Sequence, residues 1–148
     1  MPLTAADVHL YSKDTPAFNI LLEGEEQSSP ELIALAMRMA VSSFNAAPPF
    51  TSYSVENFPS DALLMDGTLY CLANGEAERQ LRNQIGFSIQ GGQASIDDKY
   101  NQYLSLATFY KTLFDQKTAA LKQHLNTEAA WGENYSPYIA INDFDFRD

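Results

Sequence analysis

Two histidines, one cysteine and nineteen carboxylates are the groups in this 148-residue chain that could serve acid–base, nucleophilic or metal chemistry. Their spacing assembles none of the usual motifs. His9 and His124 stand far apart with no H-x-x-x-H or E-x-x-H pattern, so a zinc site is not expected. Cys71 is the only cysteine, which excludes an internal disulfide and a thiolate cluster. It sits between Tyr70 and Leu72 with no histidine nearby in sequence, and reads as a small buried hydrophobe rather than a nucleophile. A lone thiol also fits folding in a reducing cytosol. Glu23, Glu25 and Glu26 lack the ligand spacing of a calcium-binding loop. Asp143 and Asp145 alternate along an extended segment and could bind a cation, but solvated charge is the better reading. There is no phosphate cradle of the G-x-x-x-x-G-K-[S/T] or G-x-G-x-x-G type, and no G-x-S-x-G elbow. Acid–base pairs that assemble only in space are invisible at this level. The expectation is a chain that is not an enzyme, with no catalytic residues, no metal and no cofactor.

The length bounds one domain with a core large enough to fold alone. Hydrophobic residues make up 45% and charged residues 19%, which excludes a disordered acidic chain. Few charges and many aromatics leave apolar surface available for partners. The net charge of −10 is uneven. Residues 1–29 set Lys13 against Asp7, Asp14, Glu23, Glu25 and Glu26, and residues 126–148 set Arg147 against Glu128, Glu133, Asp143, Asp145 and Asp148. Between them, seven bases nearly balance nine acids. Both ends are acidic, and no cationic footprint for nucleic acid exists. No run of about 18 apolar residues spans a membrane, and MPLTAADVHL has no basic flank before an apolar run, unlike a signal peptide.

The expected fold is mainly α: a small bundle of three main helices with a projecting β-hairpin and an extended C-terminal tail. Residues 1–28 read as an extended segment, with Val8, Leu10 and residues 18–22 as strand candidates. Residues 29–125 form the bundle. Ser29-Pro30-Glu31 starts its first helix, through a capping hydroxyl, a proline at the first position and an acid at the positive end. That helix stops before Pro48-Pro49. Leu32, Leu35, Ala36, Met39 and Ala40 make one apolar stripe, and Ile33, Met37 and Val41 carry it round the cylinder. A helix this apolar is either central in its domain or shared with a neighbour. Residues 47–60 form a loop pinned by Phe50, Tyr53, Val55 and Phe58. A second helix runs from Ser60-Asp61 to about Gln84; of Gly67 and Gly75 inside it, one suits close helix contact and the other a kink.

Phe87 and Ile89 alternate before Gly91-Gly92, and Ala94 and Ile96 after it, so residues 85–96 read as a glycine-turn hairpin whose edges suit another subunit or serve as a plain link. The third helix begins at Asp97-Asp98 and ends near Leu125, with Lys111, Lys117 and Lys122 toward its negative end. Residues 126–148 form a docking tail. Its candidate anchors are Trp131, Tyr135, Tyr138, Ile139, Ile141, Phe144 and Phe146, on its own domain or on a neighbouring chain.

Four stretches together resemble tailed-bacteriophage virion structural proteins: SFNAAPPFTSY, FPSDALLMDGTLYCL, ERQLRNQIGFSIQGGQASID and KYNQYLSLATFYKTLF. The resemblance covers about two-thirds of the chain, from Ser29 to about Lys122, and its motifs mark structure rather than chemistry. Within that group the pattern is similar to head-to-tail adaptors (neck or connector proteins). The resemblance implies a homo-oligomeric ring of about a dozen copies between portal and tail. It implies contacts with the portal and with other neck or tail proteins, and DNA passing without sequence-specific binding. It also implies a virion location after synthesis in the host bacterial cytoplasm, and no membrane. A baseplate or other neck component, or a small soluble acidic adaptor binding one partner, fits the same features.

Overall fold

The computed structural model describes residues 2–19, 25–83, 86–89, 92–95 and 99–131. Its elements in chain order are α1 (Ala5–Ser12), α2 (Pro30–Ala46), α3 (Asp61–Asn83), β1 (Gly86–Ile89), β2 (Gly92–Ser95) and α4 (Tyr100–Trp131). α3 packs against both α2 and α4, and α1 lies on α2.

The mainly helical class is as expected, but the architecture is corrected. There are four helices among the described residues, not three, and a hairpin projecting from the bundle is not seen. β1 and β2 are two four-residue runs that pair antiparallel with each other, Phe87 opposite Ala94 and Ile89 opposite Gly92, in a two-stranded sheet. So short a ladder has little stability of its own, and the architecture is set by helix packing.

The N-terminal segment is also corrected: residues 5–12 are helical, not extended. The cause is local. Thr4 Oγ1 accepts from the Asp7 amide at 3.3 Å, and Asp7 Oδ2 accepts from the Thr4 amide at 2.9 Å. This reciprocal box satisfies orphan donors at the first turn. Lys13, in the left-handed region at φ 57°, closes the other end. Val8 is thereby buried in the core, while Leu10 points outward. Phe18 lies in a turn, and residues 20–22 fall outside the described residues.

α2 begins and ends where its sequence punctuation places it. Ser29 Oγ accepts from the Leu32 amide at 3.3 Å, and Pro30 occupies the first turn. Its core face consists of Ile33, Ala36, Met37, Ala40, Val41 and Phe44. Ser60 caps α3 by accepting from the Leu63 amide at 3.3 Å. The core joins this α2 face to Val8, Phe58, Leu63, Leu64, Leu69 and Phe114. Burying a ring as fully as Phe44 stabilises by about 2–3 kcal/mol. Tyr53 and Phe58 stack against it at centroid distances of 6.0 and 5.0 Å, which pins the 47–60 loop as expected. Phe50 is exposed and takes no part in that pinning.

Gly67 lies where α2, α3 and α4 meet, and a Cβ there would stand 2.7 Å from the Phe114 ring and 2.8 Å from Ala40 Cβ. Gly75 faces open space in an unbroken α3, so it marks no break in the helix. α4 runs six residues past Leu125, which moves residues 126–131 from the expected tail into the helix and makes Trp131 its last residue. His124 lies inside α4.

Candidate functional site

Four features hold the polar and apolar groups from which a site could be built. The first is a carboxylate hub at the end of α1. Asp14 is buried, and its Oδ1 accepts from Asn19 Nδ2 at 2.5 Å and from the Gln27 amide at 2.7 Å, while Oδ2 accepts from the Ser28 amide at 2.8 Å. Burial opposes its charge, but these three donors, with a smaller contribution from His9, outweigh it and hold the carboxyl below the usual carboxylate range. His9 is buried beside it. Its Nδ1 lies 3.0 Å from the Asp14 carbonyl oxygen, which only accepts, so Nδ1 carries a proton and donates it there. Nε2 then faces Glu26 Oε2 at 3.5 Å and makes no hydrogen bond among the described residues. The hub ties the segment before α2 to α1. No group of three or more His, Cys, Asp or Glu side chains that could hold a metal ion occurs among the described residues.

Replacing Asp14 with alanine is expected to cost about 2–3 kcal/mol, because three donors lose a charged acceptor. The linkage sign follows from the depressed pKa. The stabilisation is complete above the unfolded value near 3.8 and is lost as pH falls through the lower folded value. Thermal unfolding at pH 7 and at successively lower pH checks this: the gap between native chain and Asp14→Ala should narrow in acid. A gap that is constant with pH would show that the carboxylate charge is not what matters.

The second feature is a lysine inside the bundle. Lys122 is 3% exposed. Its Nζ donates to the Pro49 carbonyl at 2.8 Å and to Thr51 Oγ1 at 2.7 Å, and sits 4.1 Å from the centroid of the Phe44 ring. Burial pulls the amine below the usual lysine range. Three donors thus meet two oxygens and a ring face, which makes the group a staple for the loop after α2 rather than a nucleophile. A shallow cavity beside it is lined by Ala47, Pro48, Pro49, Asp115, Thr118 and Ala119, among others. A third polar contact, Asp66 with Lys117, joins α3 to α4. Sequence reading missed Lys122 as an interior group. The signal was the helical spacing Phe114, Thr118, Lys122, which continues the buried stripe of α4.

The fourth feature is a groove of about 480 Å³ between α2, α3 and α4, closed on the α1 side by Val8 and the Asp14 hub, with Leu32, Ile33, Leu69, Leu72, Leu106 and Tyr110 among its walls and Glu76, Arg79 and Arg82 at its polar edge. Arg79 is engaged by Glu76 at 2.5 Å. Cys71 lines the same groove half-buried, and burial pushes its thiol pKa up, away from the reactive thiolate. That agrees with the hydrophobe reading rather than the nucleophile one.

The apolar stripe named from sequence is split by the fold. Ala36 and Ala40 turn inward, whereas Leu32, Leu35 and Met39 are 47%, 44% and 53% exposed. Beside the groove, Leu106 and Phe109 of α4 are exposed as well. Of the sequence-derived anchors, Trp131 ends α4, while Tyr135, Tyr138, Ile139, Ile141, Phe144 and Phe146 lie outside the described residues. Of the hairpin residues, Phe87 and Ile89 belong to β1 and Gly92 to β2, while Gly91 lies outside the described residues. No helix of the described residues is long and apolar enough to cross a membrane. No protein-family model, no curated protein and no solved structure matches this chain.

Proposed function

We propose that this chain is a non-enzymatic structural protein of a tailed-phage virion, a head-to-tail adaptor. In this reading copies form a ring between portal and tail, join capsid to tail and surround the path of the DNA. The observation that carries it is where the apolar side chains lie. Leu32, Leu35 and Met39 of α2, with Leu106 and Phe109 of α4, stay outside the core of the described residues. An apolar face of this kind marks a site of protein contact. The polar clusters support the same reading, because Asp14, at the wall of the groove, and Lys122, beside the shallow cavity, spend their hydrogen bonds on fastening loops. The sequence resemblance supplies the virion context. The acidic balance suits a channel through which DNA slides without sticking.

The aromatic segment 132–148 is the anchor in this proposal, with Tyr135, Tyr138, Ile139, Ile141, Phe144 and Phe146 seating on a neighbouring component such as the portal. Deleting residues 132–148 is expected to leave a helical, cooperatively unfolding protein that no longer enters particles. Circular dichroism and immunoblots of particles purified after complementation check the two halves separately. Normal incorporation of the truncated, folded chain would refute the anchor.

A further inference from the structure

α2 is apolar on two sides, and among the described residues only one of them packs into the core. Ile33, Ala36, Met37, Ala40, Val41 and Phe44 face the core, while Leu32, Leu35 and Met39 form a row on the solvent side at helical spacing. Beside the row, also exposed, are Glu31 and Arg38, seven residues and two turns apart on the same flank. Neither takes part in an ion pair among the described residues.

We infer that the outer face of α2 binds the same face of a second copy of this chain, with the two helices antiparallel about a two-fold axis at Leu35. Charge complementarity favours this occupant. Under such an axis each residue meets one about equally far on the other side of position 35. Leu32 then faces Met39 of the second copy, and Leu35 faces its own equivalent. Glu31 faces Arg38 of the second copy, and the pairing occurs twice. The axis keeps each flank on its own side, so the apolar row meets the apolar row and the charged flank meets the charged flank. Parallel α2 helices about a two-fold axis would instead swap the flanks, setting Glu31 against Leu32 and Arg38 against Met39 of the second copy.

Area argues the same way. The α2 row by itself falls short of the roughly 800 Å² that each partner contributes to a standard interface. Leu106 shares the groove wall with Leu32, and Phe109 lies one turn further along α4. With these two, the apolar face exposes on the order of 500 Å², near the upper range for a single monomer surface. Slightly over half of a standard interface is apolar, so the face holds the apolar content of one such contact. A two-fold contact is isologous and differs from the head-to-tail contact of a ring. It describes the free chain in solution and uses the same apolar face as the virion reading, but its test, the oligomeric state of the free chain, is separate from the particle tests of that reading.

Sedimentation velocity of the full chain between about 1 and 200 µM tests it, with circular dichroism to verify that each variant is folded. The expected result is a reversible monomer–dimer equilibrium. Leu35→Glu, which sets two acids against each other on the axis, should weaken it by about a hundredfold or more. Arg38→Glu should weaken it by about tenfold. The double exchange E31K/R38E should restore most of that loss, because the pairs re-form with their signs reversed. A chain that is monomeric at 200 µM would overturn the proposal. So would rings without a dimer, a dimer indifferent to Leu35→Glu, or an E31K/R38E chain no better than Arg38→Glu.

Discussion

Replacing Gly67 with alanine is expected to lower the stability of the protein by about 2 kcal/mol, although alanine is the better helix former. The propensity gain is about 1 kcal/mol in a helix interior. Against it stands a Cβ placed 2.7 Å from one Phe114 ring carbon, 2.8 Å from another and 2.8 Å from Ala40 Cβ. Phe114 is a buried core ring and Ala40 is fixed to the α2 backbone, so neither yields as the tip of a flexible side chain would. Relief requires α3 to move away from both neighbours at once, and overpacking of this sort typically costs 1–3 kcal/mol and sometimes more. Gly67→Val should be worse still. Gly75 supplies the internal control. It sits in the same helix with nothing within 4 Å of its missing Cβ, so Gly75→Ala should stabilise by about 0.5–1 kcal/mol. Urea denaturation of the two alanine variants measures opposite shifts in midpoint. Equal shifts of the same sign would show that helix propensity alone governs α3 and that the three-helix contact is looser than described. Adding Phe114→Leu to Gly67→Ala should recover part of the loss, since the ring clash goes and the Ala40 contact stays.

The second large effect concerns Lys122. Truncation to alanine removes a buried stem, two charge-assisted hydrogen bonds and a cation–π contact, and is expected to cost about 3 kcal/mol. Lys122→Met keeps most of the stem and removes the charge, so its cost should be about 1 kcal/mol, because the lost hydrogen bonds are partly offset by the relief of burying an ammonium. The pH dependence separates these contributions. Burial lowers the amine's pKa in the folded chain below its ordinary 10.5. The unfolded chain therefore holds the proton more tightly, and native stability rises relative to Lys122→Met as pH climbs toward 10.5. Thermal melts of both proteins from pH 7 to pH 10 measure the difference. A difference that stays flat or shrinks would mean that the amine is solvated in the native state.

Both effects show what could be read ahead of the structure. The limits of α2 were legible because Ser29-Pro30 and Pro48-Pro49 act through backbone geometry alone. Which side of α2 faces inward was not, because Leu32, Leu35 and Met39 are as apolar as Ile33, Met37 and Val41. Only the packing partners on α3 decide between them. α1 was misread because Val8 and Leu10 suggest a strand, while the Thr4–Asp7 box that nucleates the helix uses aspartate where glutamate is the commoner partner. The close contact at Gly67 was anticipated as one of two options for the α3 glycines, and choosing between Gly67 and Gly75 required knowing where Phe114 lands. Lys122 fits the helix-dipole preference from sequence alone, because a lysine in the last turns of a helix satisfies that rule without any interior role. Its staple to Pro49 and Thr51 spans more than seventy residues, and no local pattern encodes it. The candidate contact surface was legible as an excess of apolar residues on one helix, but not as a face with a position.

The central claim is that this chain works as a part of a larger particle rather than as a catalyst. Quantitative mass spectrometry of purified phage particles, counting this chain against the portal and capsid proteins, tests it most directly. The account predicts that the chain co-purifies at a fixed ratio of about one copy per portal subunit and persists through density-gradient purification. Its absence from particles, with the chain recovered as a free soluble protein from infected cells, would contradict the account.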